Sequence, residues 1–239
     1  CGYVFGGISV FLLSYINEEL KMLYPIKAVI FDVDGVLLDS LSIWRELGRR
    51  YITKLGYQPV PDMDEILFPM SMEQGAAWLK DIFSMEASEE TIMQALMQQI
   101  ESYYFEEVQA KSSAEELLRE LNMLGIPAAA ATSSPREHVR RALERNHLLP
   151  YLQKIYTTSE INASKYSPEI YFTAAEFLKT RPQDTLVVED SLYALNTAKN
   201  AGFQTAGIFD SFGEPNQAQL KEKADVYCSS LNELLNYFG

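Results

Sequence analysis

Cysteine, histidine and positive charge are all scarce in this 239-residue chain, and each scarcity closes off a class of function. Cysteine occurs only as Cys1 and Cys228, at opposite ends and without C-x-x-C spacing, which argues against a disulfide framework and a structural zinc site and makes the cytoplasm the expected location. His138 and His147 lie nine residues apart on a predicted helix, so they share no face at metal-ligand spacing. Lys and Arg total 20 against 33 Asp and Glu, a formal charge of −13. With a pI of about 4.6 and no basic stripe, the chain repels polyphosphate backbones, and no nucleic-acid partner is expected. G-x-S-x-G is absent, which leaves serine hydrolysis without support. No internal repeat or low-complexity tract occurs.

A long apolar run is also missing. The opening CGYVFGGISVFLLSYI carries no charge but is shorter than the roughly 18 residues of a membrane span. It has no basic n-region, and Met22 stands just before a strong strand signal. Residues 1–21 are therefore expected to be an apolar extension, with the functional domain starting near Met22 and no stable membrane association. A membrane-tethered form using the first 16 residues is the alternative.

What the chain does have is core material: 47% hydrophobic and 12% aromatic residues, enough for one large domain or a domain with an insert. Short apolar runs, IKAVIF (26–31), IPAAAAT (126–132), KIYTT (154–158), TLVVED (185–190) and QTAGI (204–208), suit strands buried on both faces of a parallel sheet. Helical signals separate them. Ser113 with Glu116 reads as a capping box ahead of the Leu117, Leu118, Leu121, Leu124 stripe, and Gly125 closes that helix. Pro135 suits the first turn of a helix to about Asn146, and a further helix from Ser191 to Ala201 stops at Gly202. Alternating strands and helices predict an α/β fold, a doubly wound Rossmann-like parallel sheet.

Residues 41–111 break that rhythm. They hold no strand signal and read as several helices, an inserted all-helical cap domain over the C-terminal end of the first strand, where such sheets bind ligands. The expected organisation is an α/β core of residues 22–40 and 112–239 and a cap of residues 41–111, hinged near Asp39 to Ser40 and Lys111 to Ser112. Within the cap, Tyr103, Tyr104 and Phe105 are expected to be core packing, and Arg45, Arg49 and Arg50 a solvated helix face with a contact to substrate as the alternative.

Four short segments could carry chemistry. In FDVDGVLLDS, Asp32 and Asp34 lie close together at a strand mouth, which is costly unless a proton or a hard cation such as Mg²⁺ neutralises them. Alone, the same residues describe a turn. Thr132-Ser133-Ser134-Pro135 offers hydroxyls and free N–H groups at a helix start, a phosphate seat or a plain N-cap. Lys165, between a strand and the helix opening near Pro168, can neutralise a phosphate and hold a carboxylate ionised, or be a surface lysine. Glu189-Asp190 is a second acidic pair at a strand end. All four follow predicted strands, and turn chemistry does not account for the ordered set.

FDVDGVLLDS, Thr132-Ser133, Lys165 with Pro168-Glu169, and VVEDS together resemble the four motifs of the haloacid dehalogenase-like (HAD) phosphohydrolases, in particular the phosphoglycolate phosphatase, β-phosphoglucomutase and sugar phosphatase group. The resemblance spans about residues 27–208. It implies that Asp32 attacks phosphorus and forms an aspartyl-phosphate, and that Asp34 protonates the leaving oxygen and then activates water. It further implies that Thr132, Ser133 and Lys165 bind phosphate. Mg²⁺ would be bound by Asp32, the Asp34 backbone carbonyl, Asp190 and, directly or through water, Glu189.

Three positions depart from the pattern: Ser164 and Tyr166 flank the lysine where the family has Gly and Pro, and Ala194 stands where Gly is common. These bear on loop shape. Asp34 argues against carbon–halogen cleavage and, as D-x-D-G, against phosphonate hydrolysis. Trp44 occupies the position where the β-phosphoglucomutase branch has His. The expected function is therefore Mg²⁺-dependent hydrolysis of a small phosphorylated metabolite. A phosphomutase or a non-catalytic binding protein of the same fold is the alternative, and oligomeric state is not indicated.

Overall fold

The computed structural model describes residues 25–238, so the expected extension over residues 1–21 lies outside it. Six strands, β1 (Ala28–Phe31), β2 (Ala128–Thr132), β3 (Leu152–Thr157), β4 (Thr185–Glu189), β5 (Gln204–Ile208) and β6 (Val226–Cys228), form one parallel sheet in the order β3-β2-β1-β4-β5-β6. The first five match the apolar runs in the sequence. β6 is three residues long with a half-buried Tyr at its centre, too little for a pattern to show.

Every residue of β1, β2, β4 and β5 is buried. Val29 and Phe31 of β1 face one apolar core, Ala28 and Ile30 the other, which is why the strand reads as an unbroken hydrophobic run. The chain winds outward from β1 to β3, then returns to place β4 on the other side of β1. This reversal opens a crevice beyond the C-terminal ends of β1 and β4, the ligand site of doubly wound sheets. Register fixes what meets there. Phe31 pairs with Val188, which brings Asp32 level with Glu189, and the Asp32 amide donates to the Val188 carbonyl at 2.9 Å.

Between β1 and α5 (Ala114–Met123) lies the insert: α1 (Ser42–Lys54), α2 (Met63–Leu67), α3 (Met72–Ile82), α4 (Glu89–Ser102) and a π-helical turn (Tyr103–Glu107). Its two ends are tied together by the bridge between Leu38 and Ala110 and by the amides of Asp39 and Lys111, which donate to Gln109 and Leu37 at 2.9 Å each. The remaining α-helices among the described residues are α6 (Arg136–Arg145), α7 (Thr158–Ile161), α8 (Glu169–Phe177), α9 (Leu192–Asn200) and α10 (Gln217–Lys223), with short 3-10 helices at Leu149–Tyr151, Pro182–Asp184 and Leu231–Tyr237. Among the described residues, no helix is long and apolar enough to cross a membrane.

Three local expectations are corrected. Ser113 has a left-handed backbone (φ 65°) instead of the extended one a capping residue takes, and its side chain makes no cap hydrogen bond, so the Ser113–Glu116 capping box does not form. A reciprocal box instead joins Ser71 and Gln74 at the start of α3, with contacts of 2.9 and 3.3 Å. Pro135 is the N-cap of α6, one residue before the first turn. His147 lies beyond α6, in the turn that ends it (φ 60°). Gly125 and Gly202 end α5 and α9 as expected. Cys228 is buried, and burial with the nearby Glu233 pushes its thiol up to about 12, so it is no nucleophile at neutral pH.

Candidate active site

The ends of β1 and β4 supply the acidic residues. Asp32 is the first residue past β1, Glu189 the last of β4, and Asp190 follows it; all three are buried. Each can direct one carboxylate oxygen to a common point, those oxygens lying within 4.8 Å of one another. Lys165 reaches them from the loop before α8. Its ammonium, itself only 3% exposed, contacts Asp32 Oδ1 at 2.7 Å and Glu189 Oε1 at 2.8 Å. The Tyr171 hydroxyl, from α8, also donates to Glu189 Oε1 at 2.7 Å.

One ammonium cannot balance three buried carboxylates. Burial pushes the Asp32 carboxyl well above its ordinary range, the charges of Glu189 and Asp34 add to this, and Lys165 opposes it. Glu189 is raised by burial and by Asp190, again against Lys165. Asp190, farther from the ammonium, is pushed up to about 8, chiefly by burial and then by the charge of Asp32. For Lys165, burial alone would lower the ammonium, but Asp32 and Glu189 outweigh it and keep it charged. Buried charge left unpaired is destabilising, so the cluster is short of positive charge.

A hard cation fits this deficit. Glu189 Oε2 is buried without a hydrogen-bond partner. The donors are all oxygens, as Mg²⁺ prefers. The space beside Asp190 is kept open by two glycines: a Cβ on Gly35 would meet Asp190 Oδ2 at 2.6 Å, and one on Gly213 at 2.7 Å. Gly35 also takes φ +77°, which L side chains avoid, so its place after Asp34 is required twice over.

Asp34 faces a different environment. Its Oδ1 accepts from the hydroxyls of Ser40 and Tyr104, each at 2.6 Å. Its Oδ2 accepts from Ser134 Oγ at 2.6 Å and, at a long 3.4 Å, from Thr132 Oγ1. The carboxyl thus sits in a ring of hydroxyls and is not among the three carboxylates that converge. Tyr104 arrives from the π-helical turn of the insert and is 1% exposed. It is core packing, as expected, but its hydroxyl also touches the site, which the sequence does not reveal. Burial and the neighbouring Asp34 push its phenol well up, so it remains a donor.

On the expected phosphate seat, Thr132 is fully buried and its hydroxyl accepts from the Ser134 amide at 3.0 Å. Ser133 and Ser134 line a cavity of about 460 Å³ together with Asp32, Asp34, Lys165 and Asp190. The departures beside Lys165 do not displace it: Ser164 accepts from the Tyr166 amide (3.4 Å) and from the Ser167 amide and hydroxyl (3.1 and 3.2 Å), closing the loop. Neither histidine enters the cavity. His138 packs against the rings of Tyr104 and Phe105 at 5.5 and 5.7 Å. Arg49 is exposed but pairs with the buried Asp64, Arg50 is half-buried, over the Tyr103 ring and paired with Glu46 and Glu107 (3.1 and 2.7 Å), and Arg45 lies over Phe68 and Phe212, so the expected solvated face holds only in part.

The site is thus a lysine-bridged carboxylate cluster that could hold a metal ion, at the switch point of a doubly wound sheet beside a helical insert. Residues 29–208 match the model of the haloacid dehalogenase-like hydrolases, and the chain belongs to that family. It is 27% identical over 211 residues to a phosphorylated carbohydrates phosphatase of Thermotoga maritima, covering 88% of this chain and 97% of that one. Over 212 residues it is 26% identical to the validoxylamine A 7′-phosphate phosphatase of Streptomyces hygroscopicus subsp. limoneus, covering 87% and 95%. Among solved structures it resembles a candidate β-phosphoglucomutase from Thermotoga maritima (TM-score 0.77, 26% identity, 88% and 97% coverage).

Proposed function

We propose that this enzyme is a Mg²⁺-dependent phosphomonoester hydrolase that acts on a small phosphorylated metabolite through an aspartyl-phosphate on Asp32. The observation that carries this reading is the Lys165 ammonium bound between Asp32 and Glu189 in a cluster otherwise made of carboxylates. Lys165 and the Val33 amide both engage Oδ1 of Asp32. That leaves Oδ2 as the oxygen presented to a phosphorus atom in the cavity. Attack forms the Asp32–phosphorus bond and breaks the bond to the leaving alcohol, whose oxygen takes a proton from Asp34. A water activated by Asp34 then displaces Asp32, releasing phosphate and restoring the carboxylate.

Lys165, Thr132 and Ser133 hold the phosphoryl oxygens in this reading, with the Thr132 hydroxyl also anchoring the Ser134 amide. Asp32, Asp190, the Asp34 carbonyl and Glu189 would hold Mg²⁺, which when bound offsets the charge of the carboxylates and of the phosphoryl group. Residues 41–111 act as a cap that excludes water and selects the leaving group over a core of residues 22–40 and 112–239. Trp44 in place of a proton-carrying side chain favours water as the phosphoryl acceptor over transfer to a second sugar hydroxyl. A cytoplasmic location completes the reading and rests on the scarcity of cysteine.

The test is phosphate release from a panel of phosphomonoesters with and without Mg²⁺, beside Asp32→Asn. Turnover that needs Mg²⁺ and disappears in Asp32→Asn is expected. Equal release by Asp32→Asn would remove Asp32 as the nucleophile.

A further inference from the structure

We propose that the leaving group of the substrate carries a planar unsaturated ring, bound on the Trp44 and Tyr193 rings that line the catalytic cavity; this rests on the phosphatase reading above. The large apolar side chains exposed at this mouth are aromatic. Trp44, Tyr193 and Phe212 line the cavity while remaining 44%, 39% and 37% exposed. Exposed aromatic surface gathered at one concave place, rimmed by polar groups, marks a binding surface.

The platform is built by this chain's own departure from the family pattern. Tyr166, where the family has Pro, is 76% exposed, yet its ring is stacked on Tyr193, with centroids 4.5 Å apart and an interplanar angle of 25°. Tyr193, which lines the cavity, is thereby braced by a second ring. Across the mouth, the Arg45 guanidinium of α1 lies 4.6 Å from the Phe68 centroid and 5.7 Å from that of Phe212, which joins the insert to the loop after β5.

The polar inventory separates a ring from a sugar. A polyhydroxylated leaving group can lay its C–H face on an indole, but its hydroxyls need free polar partners. The insert contributes only Leu41 and Trp44 to the cavity. Outside the acidic cluster, the lining holds two further carboxylates, and both are occupied. Asp34 accepts from four hydroxyls, and in Glu214 Oε2 accepts from the Leu192 amide at 3.0 Å and Oε1 from the Asn216 amide at 2.9 Å. Of the lining hydroxyls, Ser191 bonds to Tyr193 and Ser133 is assigned to phosphate. Ser134 Oγ is committed to Asp34. A flat ring asks for none of these partners.

The experiment compares kcat/KM of the full chain with Mg²⁺ on four esters of primary alcohols: pyridoxine 5′-phosphate and flavin mononucleotide against glucose 6-phosphate and glycerol 3-phosphate. The ring esters are expected to be favoured by roughly tenfold or more. Trp44→Ala and Tyr193→Ala should each shrink that ratio about fivefold, whereas Trp44→Phe and Tyr193→Phe, which keep a ring, should largely retain it. Equal or better turnover of the sugar and glycerol esters, or an alanine loss shared evenly by both classes, would overturn the proposal and leave the phosphatase reading standing. Should no ester turn over, the phosphatase reading fails, and calorimetric titration of Asp32→Asn decides the ring by itself. Tighter binding of pyridoxine 5′-phosphate than of glycerol 3-phosphate supports it, and equal affinity refutes it.

Discussion

The sheet edge and the helical insert face the same cavity with opposite chemistry. The sheet edge presents three buried carboxylates at the ends of β1 and β4, one buried ammonium from the loop before α8 and a set of hydroxyls, among them those of Thr132 and Ser134 at the end of β2. The insert presents Leu41 and Trp44 to the cavity and sends in one polar group, the Tyr104 hydroxyl. Strand ends thus hold the buried carboxylates, and the exposed rings at the cavity mouth come from both sides, Trp44 from the insert and Tyr193 and Phe212 from the core. The difference teaches where a substitution should act under the proposed reading: on reaction and charge balance at the sheet edge, on selection at the mouth that Trp44 of the insert shares with Tyr193 of the core.

The contrast breaks most sharply at Lys165. Lys165→Met keeps the length of the side chain but leaves Asp32 and Glu189 without their shared cation. Turnover should fall about a thousandfold or more, and unfolding in urea should show a loss of about 3–5 kcal/mol, the cost of stranding buried charge.

Mg²⁺ and pH should move together at the same edge. The raised Asp190 carboxyl binds a proton in the folded state that the unfolded chain has already released. Its contribution to stability is therefore fully present below about 4 and is lost as pH rises through about 8. A cation replaces that proton, so the rise in Tm on adding Mg²⁺ should be larger at pH 8 than at pH 5, as thermal melts would show. A rise independent of pH would mean that the ion binds elsewhere.

Tyr104→Phe tests the one place where the insert reaches the chemistry. Removing a 2.6 Å donor from a carboxylate should cost about 1.5–3 kcal/mol in urea unfolding; no change would make Tyr104 packing alone. Arg50→Ala, on the outer face of α1, should change stability by less than about 1 kcal/mol and leave turnover as it was, because its partners Glu46 and Glu107 are solvent-exposed.

Much of the sheet edge was legible in the sequence, and the reason is local. Asp32, Asp34, Lys165, Glu189 and Asp190 each sit directly after a run of apolar residues or in a short loop next to one, so a strand and the residue beyond it are read together. The partners that complete their environments are not local. Tyr104 is separated from Asp34 by 70 residues, and Tyr171 from Glu189 by 18. Each looks like a buried aromatic until the fold shows where its hydroxyl points. The Ser113 box failed for a related reason. The residue types suit a cap, but the crossing from the insert to the core imposes a left-handed backbone on Ser113 that a sequence pattern does not contain.

The proposed role of the sheet edge as the reacting side of the cavity stands or falls on what Asp32 does. Enzyme quenched in acid during turnover, digested and mapped by mass spectrometry should carry a phosphoryl group on the peptide containing Asp32, absent before substrate is added and absent in Asp32→Asn. Steady turnover with no phosphoryl group on that peptide, and with Asp32→Asn as active as the parent, would contradict the account.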